Sequence, residues 1–437
     1  MRDRLLWFGC LAYAILFTWL GAIKYGVHRN LVDFGIFAQT SASAFGCFCN
    51  PIEGSHWTFH FSPILYVVGS AVALVRSPLT LVVLQAIAGA LVAPPIYGIV
   101  RRTHDDVRIA RLAALIVWLY PALAGLIFGD FHENGFAPAA VAWTLYAFGA
   151  GAIAGTIAGA VVTLAIKEDQ AVFLAIAGAI GAWRFRGTPR GRVASGVALG
   201  SVLLFAVYVT LVHPHAATRF YSWSGGDVAT IVGGLGSRLG FFLLAFGPLL
   251  FLPFSSPAIV LAIAPLSEVL LSRMSTTYAM GTHYAGAWIG YVLVAFAYAV
   301  RKMPPARARI ALIACAALCV LELLVADPLH PGLNLRRTEA RDTALDRFLQ
   351  TLPPNADVAT QEEAYTHLAL TDPNARLLPE TSNQTVDACL VLLDQDFPNS
   401  ARLEEYWNAF MQLVDRGRYT LGTHEGNILL YRREPHC

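Results

Sequence analysis

Pro63-Ile-Leu-Tyr-Val-Val-Gly-Ser-Ala-Val-Ala-Leu-Val75 decides the topology of this chain. The stretch is apolar throughout but only roughly thirteen residues long, against the ~20 that a helix needs to cross ~30 Å of hydrocarbon. A re-entrant or interfacial helix suits it better than a crossing. If it does not cross, everything from Lys24 to Arg76 becomes one polar and aromatic loop of roughly fifty residues between two apolar spans, long for a membrane-protein loop. The spans then fall at residues 5–23, 79–100, 109–128, 135–149, 151–166, 170–184, 193–213, 239–254, 257–272, 284–300 and 308–326.

The basic residues test this choice. With Pro63–Val75 outside, one side of the membrane collects Arg2/Arg4, Arg101/Arg102/Arg108, Arg184/Arg186/Arg190/Arg192 and Arg301/Lys302/Arg307/Arg309. The other side keeps mostly singletons: Lys24, Arg29, Arg76, Lys167, Arg219, Arg238 and Arg273. Clusters of Lys and Arg mark cytoplasmic loops. A crossing at Pro63–Val75 would turn every later cluster outward, so the non-crossing version wins. The expected orientation has the N-terminus in the cytoplasm and the Lys24–Arg76 loop outside.

Composition agrees with a membrane protein. Of 437 residues, 56% are hydrophobic and 14% charged, which excludes an ordinary soluble protein. The net charge of +2 is spread over short loops and forms no basic patch, so no nucleic-acid partner is expected. The N-terminal apolar run Leu5–Ile23 is too long for a signal peptide and no small-residue cleavage site follows it, so it reads as the first span. The seven cysteines show no zinc or redox pattern. Cys47 and Cys49 stand too close for an easy mutual disulfide, and Cys315 and Cys319 read as packing residues within a span.

After Asp327 the character changes. Residues 327–437 are charged and read as a small α/β domain, placed outside by the odd number of spans. An amphipathic helix is expected from about Thr338 to Leu352 and a second from about Ala401 to Asp415. Strands are expected at 357–360, 376–378, 388–393, 419–423 and 428–432, with Glu425-Gly-Asn427 as a hairpin turn. The fold class is therefore a polytopic α-helical membrane protein of about 11 transmembrane helices with a small C-terminal extracytoplasmic α/β domain. Its domains are 1–326, with 24–78 as a long exterior loop carrying interfacial helices, and 327–437.

This topology gathers the ionisable clusters on the outer face. They are Asp33 with His60, then Asp130-Phe-His132-Glu133, then Lys167-Glu168-Asp169, and finally His283-Tyr284. Each has a bland reading: a solvated turn for Lys-Glu-Asp, a polar loop end for Asp130–Glu133, an interfacial pair for His283-Tyr284. Chance would have scattered them over both faces. Asp33 also stands among Leu31, Val32, Phe34 and Phe37, where a carboxylate is costly without a partner or a task. Glu268 and Glu322, inside apolar spans, read as structural hydrogen-bond formers that face the protein interior or snorkel outward. Asp394-Gln-Asp396 has the look of an Asp-x-Asp metal clamp, but it falls in the exterior domain and reads as a strand-end turn.

At these residues the chain resembles a known family, the predicted membrane proteins called domain of unknown function 2079. The carriers are Asp33-Phe-Gly-Ile-Phe-Ala-Gln39, His60-Phe-Ser-Pro63, Pro78 to Gln85, Asp130-Phe-His132, Lys167-Glu168-Asp169 and His283-Tyr284. That family in turn looks like a branch of the GT-C glycosyltransferases, multi-span enzymes that use polyprenyl-phosphate sugars. The resemblance implies a transferase of hexosyl or pentosyl groups with a lipid-linked sugar donor, working in the cytoplasmic (inner) membrane among its lipids. It implies catalytic roles for Asp33, His60, Asp130, His132 and Glu133, and substrate contacts from Gln39, Lys167, Glu168, Asp169, His283 and Tyr284. The chain departs from the pattern at Ala38, where an acid is expected, and at Glu133-Asn134, where Pro-Glu is expected. A divalent cation, magnesium or manganese, would suit the oxygen-rich residues, but no spacing requires one. The rival reading is a non-catalytic transporter or lipid-binding scaffold, for which Glu268 and Glu322 speak. Against it stand the absence of an internal repeat and the one-sided placement of the polar clusters.

Overall fold

The computed structural model describes residues 3–213, 227–378, 386–395 and 410–435. Five described helices are long and apolar enough to cross a membrane: Arg4–Gly26, Leu79–Arg101, Pro189–Val212, His283–Arg301 and Pro305–Val325. The pair Val107–Leu119 and Pro121–Phe128, bent by 48°, brings the number to six if it is one span. The bend has a local cause: Pro121 offers no N–H and its ring crowds the preceding turn. Ala137–Ala150, Ile153–Leu164 and Asp169–Arg184 are helical where spans are expected, but run to 14, 12 and 16 residues. The stretches expected as spans 239–254 and 257–272 are broken: a helix Leu235–Phe246 gives way to 3-10 turns at Gly247–Leu249, Leu252–Ser255 and Pro257–Ala262 before Ile263–Leu270. Pro248, Pro253 and Pro257 interrupt the hydrogen-bond ladder in each of those turns. Ile64–Val75 is a helix of 12 residues, short as its sequence length dictates.

By its internal contacts the chain divides into two units. The first comprises Met1–Leu20, Trp57–Leu65 and Val82–Pro331. Its most buried candidate span contains the helix Gly286–Arg301, in which Trp288, Tyr291 and Phe296 are fully enclosed. Small residues let this helix approach its neighbours, as membrane helices require. A Cβ on Gly286 would stand 2.2 Å from the backbone carbonyl oxygen of Asn134, and one on Gly290 2.9 Å from that of Pro138. Gly286→Ala is therefore expected to force the helix off the Asn134 turn, at a cost of about 1–3 kcal/mol. A lowered thermal midpoint of the purified protein would show it, and an unchanged midpoint would mean that the turn yields freely.

The second unit comprises Gly21–His56, Tyr66–Leu81 and Gly332–Cys437. Its sheet has five strands: β1 (Val358–Thr360), β2 (Arg376–Leu377), β3 (Leu390–Asp394), β4 (Tyr419–Glu425) and β5 (Ile428–Arg433). The order is β2-β1-β3-β5-β4. β1 runs parallel to β2 and β3, while β5 is antiparallel to β3 and β4. All five strands and the Glu425–Asn427 turn lie where alternation and turn residues put them. The core of the sheet holds Val391, Leu393, Phe410, Tyr419 and Tyr431. The first expected helix is Ala340–Gln350, opened by a reciprocal capping box between Glu339 and Asp342. Residues 410–415 of the second are helical, and the rest of it, like Asp396, lies outside the described residues.

One expectation about cysteine is overturned. Cys47 and Cys49 are disulfide-bonded, with Cα atoms 5.2 Å apart. Phe48 between them is left-handed at φ 48°, which folds the chain back and brings the two Cα atoms within bridging range. Cys315 and Cys319 are free and buried, as packing residues should be.

Candidate functional site

Four separate stretches of the first unit meet around one loop. The helix Ile153–Leu164 ends, the fully buried Ile166 pins the chain, and Lys167-Glu168-Asp169 leads into the helix Asp169–Arg184. Asp169 occupies that helix's first turn, where a carboxylate meets the positive end of the helix dipole. All three charged side chains are buried, with Lys167 8%, Glu168 4% and Asp169 5% exposed. Ionisable groups this deep must answer one another.

Glu168 takes hold of the His60 stretch. Its Oε1 lies 2.8 Å from His60 Nδ1, and its Oε2 accepts the Phe61 N–H at 2.9 Å. The Ile64 N–H donates to the Ala165 carbonyl at 2.8 Å, and the Tyr208 hydroxyl donates to the Phe59 carbonyl at 3.2 Å. Residues 59–64 are thus laced to the Lys167 loop through both backbone and side chain. Burial pushes the Glu168 carboxyl up, and Lys167 and the Phe61 N–H partly offset that.

The Asp130–Asn134 turn supplies the next group. Gln85 organises it: the amide nitrogen donates to the carbonyls of Leu126, Ile127 and Asp130, while Oε1 accepts the His132 N–H at 3.0 Å. Glu133 is then completely buried, its oxygens 3.0 Å from His132 Nδ1 and 4.0 Å from Lys167 Nζ. Neither oxygen completes a hydrogen bond, and His132 Nδ1 is itself taken by the Asn134 N–H at 3.2 Å. The His132 ring stacks on His283 at 3.9 Å, and His283 on Tyr284 at 4.1 Å. Gly281, left-handed at φ 85°, turns the chain into this pair.

Electrostatics close the circle. Burial alone would pull the Lys167 ammonium down. The charges of Glu133, Asp169 and Glu168, in that order, outweigh it and hold Lys167 above the usual lysine range. Glu268, on the helix Ile263–Leu270, also lies within electrostatic reach of Asp169, Lys167 and Glu168. One buried lysine therefore answers four carboxylates. Such a site favours a cation, a shared proton or the hydroxyls of a bound ligand.

Of the residues expected from sequence, His60, Asp130, His132, Glu133, Lys167, Glu168, Asp169, His283 and Tyr284 belong to the first unit. Asp130 joins the turn through its carbonyl. In the sequence Gln85 stands only as part of a motif without a role, and Glu268 reads as structural. Glu322 lies on Pro305–Val325 and no interaction links it to these carboxylates. Asp33 and Gln39 belong to the second unit, on the helix Val32–Ala42. Asp33 sits half-buried in that helix's first turn. Gln39 uses both ends of its amide: Nε2 donates to the carbonyls of Asp372 and Ala375, and Oε1 accepts the Tyr365 hydroxyl at 2.6 Å.

Comparison with known proteins gives the fold a context. The chain is similar to the crystal structure of ArnT from Cupriavidus metallidurans bound to undecaprenyl phosphate, with a TM-score of 0.58 and 12% identity, over 96% of this chain and 98% of that one. Its apo form gives a TM-score of 0.56 at 12% identity, over the same shares of the two chains. The oligosaccharyltransferase of Archaeoglobus fulgidus matches at a TM-score of 0.42 and 12% identity, over 97% of this chain and 74% of that one. The helical, membrane-type fold with its small sheet is therefore similar to that of the two ArnT structures. No curated protein matches the sequence. The family described as predicted membrane protein, domain of unknown function 2079, matches residues 32–430, and the chain belongs to that family.

Proposed function

We propose that the protein transfers a sugar from a polyprenyl-phosphate-linked donor to an acceptor at the outer face of the cytoplasmic membrane. The observation that carries this reading is the convergence of His60, His132, Glu133, Lys167, Glu168 and His283 on one buried constellation. A fold similar to that of an enzyme bound to undecaprenyl phosphate supports a lipid-linked donor. Nothing observed favours a transporter over a transferase.

Asp33 acts in this proposal as general base on the acceptor hydroxyl. Lys167, with His60 or His283, meets the lipid phosphate and the charge that grows on it as the sugar leaves. The carboxylates of Glu133, Glu168 and Asp169, with Asp130 and His132, position sugar hydroxyls. The buried, un-hydrogen-bonded oxygens of Glu133 also fit a magnesium or manganese ion, which would supply charge neutralisation at the phosphate. Gln39 contributes by holding the Asp33 helix in place.

The proposal includes the remaining topology: about 11 crossings, a cytoplasmic N-terminus and exterior placement of residues 24–78 and 327–437. Single cysteines at exposed positions of 327–437 are expected to react with an impermeant thiol reagent in intact cells, and protection there until lysis would overturn the arrangement. The activity is tested with purified protein in liposomes, a polyprenyl-phosphate sugar and a membrane acceptor fraction. Wild-type protein that neither binds the lipid donor nor transfers its sugar would remove the transferase reading.

A further inference from the structure

The second unit holds a cluster of ligand-type side chains that the proposed transfer does not use. His28 follows the first long helix and is left-handed at φ 54°, which turns its ring inward. Asp342 and Asp346 are one turn apart on the helix Ala340–Gln350, and His367 sits on the helix Glu362–Leu368. The rings of Tyr25, His367 and His28 form a stack, at 4.0 and 4.1 Å between centroids.

The hydrogen bonds fix which ring atoms face Asp346. A backbone carbonyl can only accept, so the 3.1 Å contact of His367 Nε2 with the Tyr25 carbonyl places the ring proton on Nε2. That leaves the Nδ1 lone pair 3.8 Å from Asp346 Oδ1. The same carboxylate oxygen lies 3.1 Å from His28 Nε2. On its other side, His28 Nδ1 stands 3.7 Å from the Asp342 carboxylate. Asp342 is in turn gripped by both terminal nitrogens of Arg336 at 2.6 Å. A neutral imidazole lone pair and a carboxylate oxygen facing each other are two acceptors, and they repel unless a cation lies between them.

We propose that His28, His367 and Asp346 form a zinc site, distinct from the sugar-transfer constellation. Their ligand atoms all lie within 4.8 Å of one another. Zinc–nitrogen and zinc–oxygen bonds of about 2.1 Å in a tetrahedron need ligand atoms about 3.4 Å apart, so binding closes the set by up to about 1.4 Å and turns the two imidazoles out of their stack. The outer partners are those zinc ligands commonly have: a backbone carbonyl behind one imidazole and a carboxylate behind the other. His28 is fully buried, while the Asp346 side chain is 45% exposed, which leaves a fourth position open toward solvent for water. Two imidazoles and one carboxylate suit zinc better than magnesium or calcium, which favour oxygen alone. The bound ion would tie the segment after the first long helix to two helices of the C-terminal region, all within the second unit. A proton shared between His367 and Asp346 is the competing explanation of the same geometry.

The experiment uses the full chain in detergent, stripped with chelator and re-equilibrated with zinc at micromolar free concentration. One equivalent of zinc is expected at this site, lost in both Asp346→Asn and His367→Gln and retained in Glu133→Gln. Cobalt in its place should give the visible absorption of a four-coordinate ion. Wild-type protein that binds no zinc overturns the proposal in favour of the shared proton. Zinc retained in both site variants overturns it as well, because the metal then sits elsewhere. Should the variants fail to fold, X-ray absorption on the wild-type zinc complex decides: a ligand shell without imidazole scattering overturns it.

Discussion

Asp33→Asn is expected to lower sugar transfer by ~10²–10⁴-fold while leaving the fold and the binding of lipid donor nearly intact. Asparagine keeps the size and polarity of aspartate but cannot take the acceptor's proton at neutral pH. The structural cost is read separately from the chemistry. Asp33 lies in the first turn of the helix Val32–Ala42, and the residue capping that helix is Leu31, which makes no side-chain cap. Loss of the negative charge there removes a favourable interaction with the helix dipole of about 0.3–1 kcal/mol. A drop in turnover of two or more decades at an unchanged thermal midpoint cannot arise from lost stability. The measurement pairs turnover from a polyprenyl-phosphate sugar with binding of a non-hydrolysable donor and a thermal midpoint. Transfer at the wild-type rate would remove Asp33 as the base, and the buried Glu133 would be the next carboxylate to try.

Much of the outline was legible in the sequence because it depends on local chemistry. Alternation of apolar residues and the Glu-Gly-Asn turn mark the strands of the C-terminal region. His60, Glu133, Lys167 and His283 could be named as candidates because ionisable residues are costly at membrane depth whatever they touch. Their pairing was not legible. That His60 answers Glu168, 108 residues away, depends on how the 59–64 segment docks. Glu268 reads as structural in the sequence because only the packing of its helix brings it within electrostatic reach of Asp169 and Lys167. Gln39 stands out in its motif, but its partners Tyr365, Asp372 and Ala375, more than three hundred residues away, do not. The Cys47–Cys49 bridge was missed because spacing alone assumes ordinary backbone, and Phe48 is left-handed. The helix Glu362–Leu368 escaped notice because seven residues are too few to show a period. Span lengths were the least secure, since prolines such as Pro121 cut an apolar run into shorter helices without changing its hydropathy.

Lys167→Gln is expected to do two things at once, and a double variant separates them. First, it takes the lysine away from Glu133, Glu168, Asp169 and Glu268. Removing one partner from a buried ionic set costs up to about 3–5 kcal/mol, less where the remaining carboxyls take up protons. The purified protein should therefore melt earlier at neutral pH and recover part of the loss under mild acid. Second, if Lys167 meets the donor phosphate, a charge-assisted contact worth about 1.5–3 kcal/mol disappears, which weakens donor binding roughly 10–150-fold. Glu133→Gln added to Lys167→Gln removes the carboxylate that acts most strongly on the lysine. Neighbouring charges are coupled, so the double variant should be more stable than additivity predicts, by about 0.5–3 kcal/mol. Donor binding should stay weak, because neither substitution returns a cation to the phosphate. Recovery of stability and donor binding together would show that Lys167 only balances the buried acids. The phosphate contact would then have to come from His60 or His283, and the proposed division of roles in the site would be withdrawn.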